Sequence, residues 1–269
     1  VSLGKQIRLK RIFSHPSGRL CSVAVDHFLN YDQDMPAGLR DLPRVIGALL
    51  EGKPDTMTMH RGTAATCWGP HAGKLPLIIQ SVACRIDDSA DEVFATPEDA
   101  LRLGADGYAT ACLIRGASEG MHLRRLADQV RAAAPWGIPV IVHIYPRKFH
   151  SNGKVEIMHT PEDVAWAVRC AIEVGVDVVK TPYCGDPAAW KQIVEGCPLP
   201  VVAAGGPKCE TLVEALQLMA DAVAGGGLGA VVGRNVWGFK DIAGAVRAFK
   251  GVIHDRLTPR DAMKAVGLS

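Results

Sequence analysis

Lys180 closes the apolar run 176–180 (VDVVK), in which β-branched residues lead to a single amine. An amine at the end of a buried strand is held from water, and desolvation favours the neutral form that attacks carbonyls. Such a lysine can form a Schiff base with a ketone. The alternative is a strand-end lysine whose head reaches water or pairs with an acid. Other reactive side chains fall at matching places. Asp26 and His27 follow the run 20–25, while His143 and Tyr145 close or follow the run 138–144. Gly205 and Gly206 follow 199–204, and Gly233 and Arg234 end and follow the run 228–233.

The glycine elbows let backbone approach a ligand closely, and Arg234 adds a bidentate cation suited to phosphate. Tight turns with no ligand are the alternative. An amine opposite a phosphate site suits a phosphorylated ketone: the protonated imine is an electron sink for breaking or making the neighbouring carbon–carbon bond. That chemistry needs a proton shuttle. Tyr145 is the best placed candidate, and Asp26 could orient the lysine or move protons while the imine forms. Taken singly, Tyr145 could instead stack on Pro146 and Asp26 could cap a turn.

These residues need a scaffold that brings strand ends together. Eight short apolar runs, 20–25, 55–59, 76–82, 106–111, 138–144, 176–180, 199–204 and 228–233, read as strands. Helical patterns lie between them at 97–103, 121–134, 161–174 and 210–224. Thr-Pro-Glu-Asp at 96–99 and 160–163 writes two helix starts, and Gly104 and Gly175, each two residues before an aspartate, write two helix ends. The alternation predicts a (β/α)8 TIM barrel of the α/β class, a single domain over 1–269, with function at the C-terminal ends of its strands. The segment 145–160 reads as an irregular loop over that end.

The 269 residues and 28.7 kDa suit one large α/β domain, and 48% hydrophobic with 22% charged residues is globular composition. A net charge of +2 without a basic run gives no reason to expect nucleic-acid binding. No stretch is apolar enough for a membrane span, and no apolar leader pattern opens the sequence, so a cytoplasmic location is expected. Eight cysteines without a C-x-x-C pair fit reduced thiols. The nine histidines lack H-x-H or H-x-x-x-H spacing, so no metal and no cofactor is expected.

The chain resembles the class I, Schiff-base aldolases of the archaeal fructose-bisphosphate aldolase type. That family also contains 2-amino-3,7-dideoxy-D-threo-hept-6-ulosonate synthase and the autoinducer-2 phosphate thiolase. The resemblance runs through segments 8–13, 25–27, 145–147, 179–186, 204–208 and 232–235. It implies that Lys180 is the Schiff-base lysine, Tyr145 the acid/base tyrosine and Asp26 the carboxylate assisting proton transfer. Gly205, Gly206, Gly233 and Arg234 match the family's phosphate-binding positions, and His27 and His143 are candidate substrate contacts. It also implies a homo-oligomer, with decamers known in the family, to which the apolar face of 241–253 is suited.

Two departures bear on the substrate. Phe28 stands where many members have glycine after Asp-His, and His143 stands where archaeal aldolases often have tryptophan. His143 could be a substrate ligand, a proton relay or a hydrogen-bonded barrel residue. Tyr145 favours aldol chemistry over the thiolase branch, whereas segments 184–187 and 194–198 look closer to the heptulosonate synthase. The expected activity is reversible cleavage of a phosphorylated ketose, led by fructose 1,6-bisphosphate to dihydroxyacetone phosphate and glyceraldehyde 3-phosphate, a step of glycolysis and gluconeogenesis. A heptulosonate synthase-type transaldolase, another aldolase or thiolase of the family, and a non-covalent phosphate-sugar isomerase or binding protein are the rival readings.

Overall fold

The structure is a computed structural model describing residues 2–30 and 35–268; positions 1, 31–34 and 269 of the expected 1–269 domain lie outside them. In chain order the strands are β1 (Leu20–Ala24), β2 (Thr56–His60), β3 (Leu77–Gln80), β4 (Val82–Cys84), β5 (Asp91–Val93) and β6 (Gly107–Ile114). They continue with β7 (Val140–Phe149), β8 (Val155–Ile157), β9 (Val178–Thr181), β10 (Val201–Ala204) and β11 (Gly229–Val232). β1, β2, β3, β6, β7, β9, β10 and β11 pair in that order, each parallel to the next, and β11 returns to β1. This is a closed (β/α)8 barrel in a single domain, and its eight strands correspond to the eight apolar runs.

The helix signals act as written. Thr96 and Thr160 accept from the backbone N–H groups of Asp99 and Asp163, with proline in the first turn. Gly104 and Gly175 adopt φ of 75° and 88°, the left-handed geometry that ends a helix at little steric cost. Asp177, just beyond the second of these turns, ties two further elements together. Its Oδ2 accepts from Val140 N at 2.8 Å and pairs with Lys5 Nζ at 3.0 Å.

Lys5 belongs to the helix Leu3–Ile12, which lies across the N-terminal end of the barrel. Arg8 Nη1 donates to Gly137 O at 3.1 Å and Arg11 Nη1 pairs with Asp106 Oδ1 at 3.1 Å. Ile12 is fully buried and belongs to one apolar cluster with Leu20, Ile78, Ile141, Val178, Val202 and Val231. Burying such a side chain contributes about 1.5–3 kcal/mol, and here it also seals the barrel floor. Above the floor the inward positions turn polar. Thr56 Oγ1 donates to Ser22 Oγ at 2.7 Å, and Gln80, His143 and Lys180 are buried toward the strands' C-terminal ends.

Two expectations differ in detail. The run 76–82 is interrupted at Ser81, whose carbonyl accepts from Phe94 N at 2.7 Å and Ala95 N at 3.1 Å. This draws the chain out of the barrel wall into an antiparallel β4–β5 hairpin. Segment 145–160 is not an irregular loop. β7 runs on past the wall, and Arg147–Phe149 pairs antiparallel with β8 through a turn in which Gly153 takes φ of 83°. The buried Arg147 guanidinium anchors this hairpin on Asp88, with Nη1–Oδ1 at 2.7 Å and Nη2–Oδ2 at 3.1 Å. Alternation of sequence polarity hides such a strand because its face is filled by a charge and its partner.

Candidate active site

Lys180 is fixed by β9, where it lies in register with His143 of β7 and Val202 of β10. It is 3% exposed, and it lines a cavity of about 310 Å³ at the C-terminal end of the barrel. Tyr145 and His27 share that cavity, and Gly205, Gly206, Gly233 and Arg234 form another part of its wall. Seven of the nine candidate residues therefore meet in one space. Asp26 and His143 do not line it; both are buried beside it, 1% exposed. Asp26 lines a neighbouring cleft of about 570 Å³ together with Phe28, His60 and Arg61.

Close packing explains two of the glycines. A Cβ on Gly233 would fall 2.2 Å from His27 Cε1, and one on Gly205 would fall 2.9 Å from Val232 Cα. Gly206 needs its freedom for another reason, a φ of 72°. Asn235 organises this wall: its Nδ2 donates to the carbonyls of Gly205 and Pro207, both at 2.8 Å, and its Oδ1 accepts from Cys209 N at 2.8 Å. Arg234 Nη2 donates to Gly206 O at 3.3 Å. Asn235 belongs to the 232–235 motif, but its residue type alone points to no role; the hydrogen bonds supply one.

Electrostatics separates the buried groups. Burial pushes the Asp26 carboxyl up, but the charges of His27, His143, Lys180 and His60 outweigh it and hold the group well below the usual carboxylate range. Burial pulls His27 down to about 4, with Asp26 opposing and Lys180 and Arg234 adding to the fall. His143 is pushed well below its ordinary value by burial and by Lys180. Burial thus favours neutral imidazoles at His27 and His143 at neutral pH. His27 Nδ1 lies 3.5 Å from Asp26 Oδ1, and its ring meets Trp237 edge-on at 5.4 Å.

Gln80 joins Asp26 to His143, with Nε2 at 3.0 Å from Asp26 Oδ2 and 3.3 Å from His143 Nδ1. The sequence shows a glutamine at a strand end; only the closed barrel puts it opposite both partners. His159 also reaches the cavity wall, where its Nδ1 lies 3.2 Å from Tyr183 O. Among the described residues, Cys84, Asp91 and His122 bring potential metal-ligand atoms within 4.8 Å of one another. The Arg125 guanidinium contacts Asp91 and approaches Cys84 Sγ at 3.7 Å, so a cation of the chain already serves this cluster.

The family model for DeoC/LacD family aldolases matches residues 20–238, from β1 through the segment that follows β11. The chain belongs to this aldolase family. Its activity is therefore of the aldehyde-lyase type. The aldolase is 29% identical to 2-amino-4,5-dihydroxy-6-oxo-7-(phosphonooxy)heptanoate synthase of Streptomyces griseus, over 97% of this chain and 94% of that one. It superposes on an archaeal fructose 1,6-bisphosphate aldolase with a TM-score of 0.80 and 28% identity, covering 93% of this chain and 99% of that one. A further archaeal fructose-1,6-bisphosphate aldolase structure, with equal similarity, has its catalytic lysine covalently bound to the carbinolamine intermediate of the substrate. These relatives place the aldolase in the class I, Schiff-base group.

Proposed function

We propose that Lys180 forms an imine with a phosphorylated ketose, whose neighbouring carbon–carbon bond is then reversibly cleaved. The observation that carries this reading is the meeting of Lys180, Tyr145 and the Gly205–Gly206 and Gly233–Arg234 wall in one cavity. Fructose 1,6-bisphosphate is the leading substrate, supported by the archaeal relatives. The Lys180 amine adds to the ketone carbon, and the carbonyl oxygen leaves as water. Tyr145 takes the proton of the hydroxyl on C4, the C3–C4 electron pair flows into the iminium, and glyceraldehyde 3-phosphate departs. The enamine then takes a proton on C3, and water releases dihydroxyacetone phosphate. Asp26 assists the proton transfers of imine formation. Backbone N–H groups of the glycine elbows and the Arg234 guanidinium hold the phosphate nearest the ketone, while His27 contacts the substrate from the cavity wall and His143 supports the lysine side from its buried position beside it.

The test is borohydride reduction in the presence of dihydroxyacetone phosphate, followed by peptide mass spectrometry. A stable adduct on Lys180 is expected, Lys180→Ala abolishes turnover, and EDTA leaves turnover unchanged because the imine supplies the electron sink. An unlabelled Lys180, or activity that dies with chelator, overturns the mechanism. The synthase from Streptomyces griseus supports a second reading, condensation of the same enamine with an aldehyde to build a seven-carbon phosphorylated acid. Turnover across a panel of ketose phosphates and acceptor aldehydes separates the two. We further assign residues 1–269 to one aldolase domain of a homo-oligomer, which sedimentation of the purified protein tests, and to the cytoplasm, which cell fractionation tests.

A further inference from the structure

Gln80 is fully buried at the end of β3, and the two ends of its amide face different partners. The oxygen accepts from the Val82 N–H at 3.4 Å and shares the Ser81 N–H, 3.0 Å away, with Ala109 O, while the Asp26 carboxylate at the amide's other end can only accept. The two N–H groups can only donate, so with the carboxylate they fix which end of the amide is oxygen. The NH2 end consequently faces Asp26 Oδ2 and His143 Nδ1. One of its hydrogens goes to the carboxylate, which accepts. The other goes to His143 Nδ1, which must accept as well. A proton on Nδ1 would set two donors against each other at 3.3 Å between buried side chains, where unmade hydrogen bonds are costly.

We infer that Gln80 is a positioning residue of the imine site: it orients the Asp26 carboxylate and fixes His143 as the neutral tautomer that carries its proton on Nε2. The assignment narrows what His143 can do. Its Nδ1 is spent on Gln80, and its Nε2 bears a hydrogen, so the imidazole can donate a hydrogen bond at Nε2 but cannot act there as a base. His143 sits in register with Lys180 on the adjoining strand. The imidazole therefore serves the lysine side of the barrel as a fixed donor. This favours a ligand-type role over a proton relay. The catalytic part of the inference rests on the imine reading, whereas the tautomer does not.

Nitrogen NMR of histidine-labelled full-length protein reads the tautomer directly. His143, assigned by difference against His143→Gln, is expected to show a protonated Nε2 and an unprotonated Nδ1. In Gln80→Leu the nitrogen shifts should move toward a mixture of tautomers. The same variant should lower kcat by about 10²-fold, the lower end of what an oriented acid–base group supplies. Its KM, and inhibition by inorganic phosphate, should stay within about threefold because the glycine elbows are untouched. In Gln80→Glu the side chain can donate to Asp26 only when protonated, so the activity optimum should move to lower pH. A wild-type His143 carrying its proton on Nδ1 overturns the inference, and that result needs no variant to fold. An unchanged His143 signal in Gln80→Leu, or an equal loss of kcat and phosphate binding, overturns it too. Failure to trap an adduct on wild-type Lys180 would instead remove the imine reading and leave the tautomer result standing.

Discussion

At the residue scale, the candidate site divides into groups readable from chemistry and groups that need geometry. Lys180, Tyr145, Gly233 and Arg234 stand at strand ends with obvious reactive or permissive character, and all four line the cavity. Gln80 has no reactivity of its own, so nothing in its type marked it. Its meaning comes from Asp26 and His143, 54 and 63 residues away in the chain. For Arg234, replacement by alanine should raise KM for a phosphorylated ketose by about 10–100-fold, since a charge-assisted hydrogen bond contributes about 1.5–3 kcal/mol. Steady-state kinetics on phosphorylated and unphosphorylated ketoses checks this, because only the former should respond. Gly233→Ala should strike differently. Its Cβ would collide with the His27 ring, and overpacking of this kind costs about 1–3 kcal/mol. A lowered urea midpoint together with weakened phosphate inhibition is the expected result.

At the scale of elements, the eight strands and the helix caps followed from periodicity and from Thr-Pro and Gly-x-Asp punctuation. The β7–β8 hairpin did not. Its stability rests on Arg147 and Asp88, which a polarity pattern records only as two scattered charges. Burial pushes the Asp88 carboxyl up, yet hydrogen bonds from Arg147, His122 and Ser118 outweigh it and bring it down to about 2. Asp88→Asn leaves the buried Arg147 without its counter-charge, and breaking such a pair costs about 3–5 kcal/mol where both charges are buried. Asp88 is partly exposed, so a loss toward the lower end is expected by denaturant unfolding. Because Tyr145 lies two residues before Arg147 on β7, kcat should fall with it. His122 adds a pH signature. Burial lowers it, but hydrogen bonds to Asp91, Cys84 and Asp88 outweigh burial and raise it to about 9. Its contribution to stability is complete below the ordinary histidine value of about 6.5 and is lost as pH rises through about 9. His122→Asn should flatten the fall in melting temperature over that range.

At the scale of the whole molecule, the interior histidines act in the opposite sense. His27, His60 and His143 all have folded values below the ordinary one, with burial the leading cause. The unfolded chain then binds protons more readily, so stability is complete above about pH 6.5 and declines as pH falls toward about 4, the value for His27. Melting temperatures measured from pH 7 to pH 4 should fall progressively, and His143→Gln should soften the decline. Among the described residues no helix is long and apolar enough to cross a membrane. The barrel itself was legible because eight repeats of one βα unit admit few arrangements. The sealing of its floor was not, since the helix Leu3–Ile12 shows only a charged face and one fully buried isoleucine. That seal governs traffic. On the imine reading, a chamber closed at its floor leaves both cleavage products to depart toward the strands' C-terminal ends, and the fragment still bonded to Lys180 cannot precede the free aldehyde. Release is therefore ordered: the ketone phosphate should inhibit competitively against the ketose, and the aldehyde non-competitively.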